Sequence, residues 1–251
     1  MTSPRASDDH FSAVSTGYAT FRPRYPKEVF DYVASIALRR KRAWDCGAGS
    51  GQATIDLAEY FDEVVATDLS QKQLVEAPDV PNVGWVAARA EAAPIRTASI
   101  DLVTVAQALH WFDHGAFFAE VRRVATPGAA VAAWTYGVPK MDGEVGEALN
   151  RLMFETLGGY WPPGRGYVED EYRSIPFPFE RLPAPKLPLH ETWTFARVAG
   201  YARTWSASAR YAAATGVDAV ESFEREARAV WTDDAPRAIT WPLVLLAGRV
   251  S

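Results

Sequence analysis

Asp45 to Gly51, which reads Asp-Cys-Gly-Ala-Gly-Ser-Gly, constrains this chain more than any other stretch. The lead-in Ala43-Trp44 reads as the end of a buried strand. Glycines then stand at alternate positions, 47, 49 and 51, so the backbone turns with no side chains in the way. Ala53, Ile55, Leu57 and Ala58 follow at the spacing of a helix. Strand, glycine-rich turn and helix together let backbone N–H groups and a helix N-terminus approach a ligand closely. Cys46, the one cysteine, lies inside this unit where a small apolar residue is wanted, and it reads as a buried structural thiol. A single cysteine excludes an intrachain disulfide, which is compatible with a reducing cytoplasm, the expected location.

The chain around the turn repeats strand and helix. Residues 1–10 read as a polar tail. Phe11, Val14, Tyr18 and Phe21 share one face of a short helix, which Pro23 and Pro26 end. A helix from Pro26 to about Arg39 follows, with Val29, Phe30 and Val33 on its apolar face. The basic run Arg39-Arg40-Lys41-Arg42 reads as a solvated helix end. Glu63–Asp68, Val83–Ala87, Ser99–Ala106 and Ala129–Trp134 read as further strands, Ser99–Ala106 almost wholly apolar as in the middle of a parallel sheet. Asp113–Val124 reads as an amphipathic helix with Glu120, Arg122 and Arg123 outward. From Tyr136 the pattern changes: Glu144–Leu157 reads as helix, Gly158–Pro188 as an irregular stretch rich in Gly, Pro and aromatics, and Val198–Ala213 and Val217–Val230 as helices. Ala238–Arg249 reads as one final strand, able to pair with 189–195 at the sheet edge. The expected architecture is an α/β, doubly wound, mostly parallel sheet in a single domain over 1–251. An N-terminal lid segment covers about 11–40, and a substrate-side insertion about 137–188.

Composition sets the classes of partner. The chain has 251 residues, 48% of them apolar, so it can fill a core; its net charge of −5 argues against a dedicated nucleic-acid binder. No apolar run approaches the roughly 18 residues of a membrane helix. No metal-ligating pattern stands out. Oligomeric state is left open.

Position along the strands selects candidate site residues, because ligands of open α/β sheets bind outside the strands' carboxyl ends. Asp68, at the tip of the second strand, suits a ribose, since a carboxylate accepts from both vicinal hydroxyls; the alternative is a cap for the helix that Ser70 opens. Gln107, His110 and Trp111 follow the fourth strand. His110 is the candidate general base, and packing of its ring on Trp111 is the plainer alternative. Trp111, Trp134, Tyr136 and Trp161 are candidate pocket residues, and Arg165, Arg203 and Arg210 candidate partners of an acidic substrate.

These motifs resemble class I S-adenosylmethionine-dependent methyltransferases, in particular the small-molecule group of trans-aconitate-methyltransferase-like enzymes. The resemblance rests on the glycine turn, Asp68, Ala90-Glu91 before Pro94, Ile100–Val103, Gln107–Phe112 and Val124–Gly128, with a looser likeness at Tyr201–Ser206. It implies a seven-stranded sheet with the last strand antiparallel, and S-adenosylmethionine as cofactor. Gly47, Ala48, Gly49 and Gly51 would meet its methionine part, with Asp45 near the amino group and Gln107 beside it. Asp68 would bind the ribose, Leu69 beside it would also meet the cofactor, and Ala90 and Glu91 would lie at the adenine edge. Tyr18 and Arg22 would close over the carboxylate. Arg89 stands where many relatives carry an acid, so adenine would rely on backbone contacts from Ala90. The partner implied is a small-molecule methyl acceptor, methylated on a carboxylate or hydroxyl oxygen. A carboxylate would need no base; a hydroxyl would use one. An NAD-dependent oxidoreductase fits less well, because the sixth position of its G-x-G-x-x-G fingerprint is Gln52 here. A non-catalytic, cofactor-binding regulator is the other alternative.

Overall fold

The computed structural model describes residues 21–233 and 235–251. They form two compact units. One comprises Arg24–Gly137, Gly166–Leu187 and Leu243–Ser251; the other takes the described residues through Pro23 together with Val138–Arg165 and Pro188–Pro242. The expected 137–188 insertion is thus divided between them.

The first unit is built on a seven-stranded sheet. Its strands are β1 (Arg42–Cys46), β2 (Glu63–Asp68), β3 (Val83–Ala87), β4 (Ile100–Ala106) and β5 (Ala125–Tyr136), then the short β6 (Glu180–Arg181) and, after β7 (Leu189–Trp193) and β8 (Arg237–Trp241) of the other unit, β9 (Leu243–Arg249). The order is β3-β2-β1-β4-β5-β9-β6. The first five strands are parallel, whereas β9 runs antiparallel to β5 and β6 antiparallel to β9. Ile100 to Val105 are all buried, as the continuous apolar run of β4 requires of a strand covered on both faces.

Side-chain alternation divides the core. Trp44, Val103, Val105, Val131 and Ala133 pack on one face with Phe117, Phe118 and Val121 of the helix His114–Val124. Trp134 packs against Phe30 of the helix Lys27–Ile36, their ring centroids 6.2 Å apart. At the amino ends of the strands, the buried Asp101 carboxylate accepts the Lys41 and Arg42 N–H groups, and Arg39 lies 3.3 Å from it. Arg42 donates to Glu63. Half of the basic run is therefore paired to the sheet rather than simply solvated.

The second unit pairs β7 with β8, Leu189 opposite Trp241. Its helices are Gly143–Asn150, continuing as a π-helical turn at Arg151–Thr156, then Phe195–Arg203, Ser206–Thr215 and Val220–Val230. Trp193, Tyr201 and Trp241 form its aromatic centre, with centroids 4.9–5.8 Å apart. Two expectations change here. The single strand 238–249 is two strands, because Pro242 offers no N–H to a ladder and breaks the run. The single helix 198–213 is two helices, parted at Thr204-Trp205. Among the described residues, no helix is long and apolar enough to cross a membrane.

Candidate functional site

The carboxyl ends of β1, β2 and β4 bring the site residues of the sheet unit together. Gly47 and Ala48 donate their N–H groups to the Thr67 carbonyl at 2.8 and 3.0 Å, which bends the chain off β1 and across the end of β2. Gly47, Gly49 and Gly51 have φ of +73°, +58° and +89°. At Gly47 there is also no room: a Cβ would lie 2.5 Å from Ala108 Cβ and 3.2 Å from the Phe112 ring. Glycine is required there twice over, by conformation and by packing.

Asp68 ties this turn to β2. One carboxylate oxygen accepts the Gly49 N–H at 2.8 Å, and the other the Ser70 N–H at 2.7 Å. Burial raises its pKa, and the backbone N–H groups of Ser70, Gly49 and Leu69 oppose that rise. Ser70 itself caps the next helix, accepting from Gln73 N. Asp68 is thus not the cap. Leu69, beside it, is half exposed.

Asp45 lies on β1 beneath the turn and is fully buried. Its two oxygens accept hydrogen bonds from Thr54 Oγ1 at 2.6 Å and Thr104 Oγ1 at 2.8 Å. Burial pushes its pKa up to about 6, the two threonines opposing the shift. The carboxylate fastens β1 to β4 and to the helix that starts at Thr54. Cys46 is likewise buried, and burial drives its thiol pKa well upward, so it is no nucleophile at neutral pH.

The loop after β3 is clamped from the helix His114–Val124. The Glu120 carboxylate accepts the Ala93 N–H at 2.8 Å, while Arg123 pairs with Glu120 and donates to the Ala93 and Ile95 carbonyls. Glu120 is buried and Arg123 engaged, a departure from the outward face expected of both. The neighbouring Ala90 is buried, and Glu91 accepts the Asp113 N–H at 3.0 Å with Arg89 3.6 Å away.

After β4 the backbone reverses at Gln107, a non-glycine residue with φ of +54°. Such a conformation persists only where surroundings impose it. Its N–H donates to the Trp134 carbonyl at 2.9 Å, its amide nitrogen to the Tyr136 carbonyl at 3.3 Å, and its amide oxygen accepts from Thr135. His110 follows on a single 3₁₀ turn, Leu109–Trp111. Its Nδ1 lies 3.0 Å from the hydroxyl of Tyr172, and its ring is 4.8 Å from Trp111.

Comparison with known proteins agrees with this geometry. A methyltransferase domain family matches residues 44–133, from β1 into β5. A Dictyostelium discoideum protein named as a methyltransferase is 34% identical over 222 residues, 87% of this chain and 84% of that protein. The chain belongs to the S-adenosylmethionine-dependent methyltransferases. A Saccharomyces cerevisiae member so named, CRG1, is 30% identical over 68% of this chain and 61% of its own length. A solved structure from Anaeromyxobacter dehalogenans, described as a type II methyltransferase, is 43% identical with a TM-score of 0.83, covering 91% of this chain and 98% of that one. S-adenosylmethionine is the methyl donor of the family. The class I fold implied by the motifs, a mostly parallel seven-stranded sheet carrying an antiparallel strand, is the fold found.

In this methyltransferase several expected pocket residues do other work. Trp134 is fully buried between Tyr25 and Phe30, with centroids 5.7 and 6.2 Å away, and so is core rather than pocket wall. Its alternation on β5 puts it on the face covered by the helix Lys27–Ile36. Tyr136 is also buried, near Tyr25. Arg22 belongs to the other unit, where it donates to the Thr204 carbonyl and lies over the Tyr201 ring; Tyr18 falls outside the described residues. Arg203 is held by Asp218 and Glu224, and the Arg165 guanidinium stacks 4.2 Å over Trp161. Sequence reasoning passed over Thr54, Thr104, Thr135 and Tyr172. The threonines of β4 and β5 carried a signal, hydroxyls inside otherwise apolar strands. Tyr172 carried none, since its partner is 62 residues away.

Proposed function

We propose that this methyltransferase methylates a hydroxyl oxygen of a small molecule, with His110 as general base. The observation that carries the reading is the setting of His110: at the carboxyl end of β4, next to Gln107, with Nδ1 engaged by Tyr172. That contact fixes the ring at the strand ends, where ligands of open α/β sheets bind, and an imidazole is the side chain best suited to take a proton near neutral pH.

The donor side is read as follows. The backbone of Gly47 to Gly51 would hold the methionine part of S-adenosylmethionine, whose sulfonium supplies an already electrophilic methyl group. Glycine at 47, 49 and 51 keeps that backbone clear of side chains of its own, which supports close approach of a ligand. Asp68 would accept from the ribose hydroxyls, using lone pairs beyond those given to Gly49 and Ser70. Leu69 and Ala90 would flank the adenine, and Glu91 would keep its loop in place through Asp113. Gln107 would border the methionine part. Asp45 would hold the turn in shape from beneath. What remains for the protein is to place the acceptor in line and exclude water.

A carboxylate acceptor is the second reading, suggested by the likeness of Tyr201–Ser206 to aconitate-methyltransferase-like members. The packing of Tyr201 among Trp193, Trp205 and Trp241 and the ion pairs of Arg203 account for that likeness without a substrate. A panel of phenols, alcohols and carboxylic acids with methyl-labelled donor tests the choice. His110→Ala should slow methylation of hydroxyls on the order of 100-fold with donor affinity retained. Turnover confined to carboxylates, and indifferent to His110→Ala, would reject the reading.

A further inference from the structure

Asp68, Trp85 and Gln73 reach the second half of the glycine turn, each in its own way. Asp68 accepts the Gly49 N–H. Trp85, on β3, lies against Gly51 with a carbon edge: the atoms nearest a Cβ built there are Cη2, Cζ2 and Cζ3. The indole nitrogen is at the other end of the ring system, so Trp85 packs the turn and offers it no hydrogen bond. Gln73 stands on the helix Gln71–Val75. A Cβ at Gly49 would lie 2.6 Å from Gln73 Oε1 and 3.7 Å from its Cδ. The Gln73 carboxamide therefore occupies the space that the missing side chain of Gly49 leaves.

That carboxamide is oddly placed for a purely structural group. Gln73 is only 9% exposed. Its backbone N–H is taken by Ser70, but its side chain has no hydrogen-bond partner among the described residues. An amide removed from water without a partner costs stability, and buried polar groups are in general paired. A ligand lying on the turn would supply the partner. The chemistry of that partner follows from Asp68. A carboxylate only accepts, so it takes the hydrogens of the two ribose hydroxyls and leaves their oxygens with lone pairs to satisfy. A carboxamide carries two N–H donors. Asp68 and Gln73 both meet Gly49, one at its N–H and the other across its Cα. A sugar held by the first is therefore brought beside the second.

We propose that Gln73 is a further binding residue for the methyl donor: its NH2 donates to a ribose hydroxyl oxygen whose hydrogen Asp68 takes. The inference rests on the reading of Asp68 as the ribose acceptor. It gives the site a side chain that the fold itself does not use, so stability and donor binding respond to its loss in opposite directions.

Gln73→Met keeps the length of the side chain and removes its hydrogen bonding; Gln73→Leu is a second apolar replacement. Calorimetric titration of the full chain with S-adenosylhomocysteine should show affinity three- to tenfold weaker in both. Without ligand, their melting temperatures should equal or exceed that of the wild type, because an apolar group replaces an unpaired amide. Analogues lacking the 2′- or the 3′-hydroxyl locate the contact. With one of them the wild type and Gln73→Met should bind alike. Wild-type affinity in both variants overturns the proposal, as does a loss that persists with both analogues. So does a loss of affinity accompanied by a lower melting temperature in both variants, which would make Gln73 a packing residue. Asp68→Ala separates the two readings. If it weakens binding and the Gln73 variants do not, only the role of Gln73 falls; if it binds as the wild type does, the ribose reading falls and this proposal with it.

Discussion

The two halves of the candidate site are built by different means. On the β1–β2 side, the turn is backbone held by backbone: Gly47 and Ala48 on the Thr67 carbonyl, and Gly49 on one side chain, Asp68. On the β4–β5 side the contacts are between side chains, Gln107 with Thr135 and His110 with Tyr172, drawn from three separate stretches. The first half depends on the absence of side chains and the second on their identity. A ligand common to a whole family can be met by peptide groups, which every sequence supplies. Selection of an acceptor has to come from side chains, which differ from one member to the next.

The sharpest way to break this contrast is a single methyl group. Gly47→Ala places a Cβ at φ of +73° and against Ala108 Cβ, which has no rotamer by which to retreat. A left-handed penalty of about 1–2 kcal/mol adds to overpacking of similar size, so urea denaturation should show a loss of roughly 3 kcal/mol. Isothermal titration should show S-adenosylmethionine binding lost as well. Gly49→Ala meets only the movable end of Gln73 and should cost about 1–2 kcal/mol, the conformational part alone. Equal losses at the two positions would mean that packing against Ala108 is not what fixes the turn.

Next in size is the carboxylate beneath the turn. Asp45 in the folded chain has its pKa raised from 3.8 to about 6. A raised carboxylate binds its proton more tightly folded than unfolded, so its contribution is fully present below pH 3.8 and is lost as pH rises through 6. The difference amounts to roughly 3 kcal/mol at neutral pH, at about 1.4 kcal/mol for each pKa unit. Asp45→Asn keeps a side chain able to bond Thr54 and Thr104 but does not titrate. The stability of the wild type relative to Asp45→Asn should therefore fall between pH 4 and 6 and stay level above. A flat difference across that range would show that Asp45 is not an enclosed carboxylate.

The same contrast decides what the sequence could disclose. The turn, the strand tips and the presence of the five parallel strands were legible, because each depends on local pattern: glycine at 47, 49 and 51, and β-branched runs ending at Asp68 and Ala106. Trp134 was misread because an aromatic near a strand end looks the same whichever face it takes; only the register with β4 and the helix carrying Phe30 turn it into the core. Glu120 and Arg123 looked like a solvated helix face, since the loop they clamp lies 25 or more residues earlier in the chain. Tyr172 was beyond reach. Its constraint is a left-handed backbone inside a segment whose composition resembles any long excursion. Pro242 was in plain view as a strand breaker, and reading it as such would have divided the last strand correctly.

Asp68 and Ser70 supply the smaller effects, and together they separate binding from architecture. Asp68→Ala removes the acceptor proposed for the ribose and frees the Gly49 N–H. Hydrogen bonds to charged groups are worth about 1.5–3 kcal/mol, so donor affinity should fall by roughly 10- to 100-fold in titration with S-adenosylhomocysteine. Ser70→Ala removes only the cap on Gln73 N of a five-residue helix, a bond already long at 3.4 Å. Its expected cost is about 0.5 kcal/mol, the low end for a lost cap, visible as a small drop in melting temperature. Donor affinity should not change, because the Ser70 contact to Asp68 runs through the backbone N–H and survives the substitution. Should Ser70→Ala weaken the donor as much as Asp68→Ala does, the two residues act as one structural hinge. The loss at Asp68 would then reflect a collapsed turn, and the ribose assignment would lose its support.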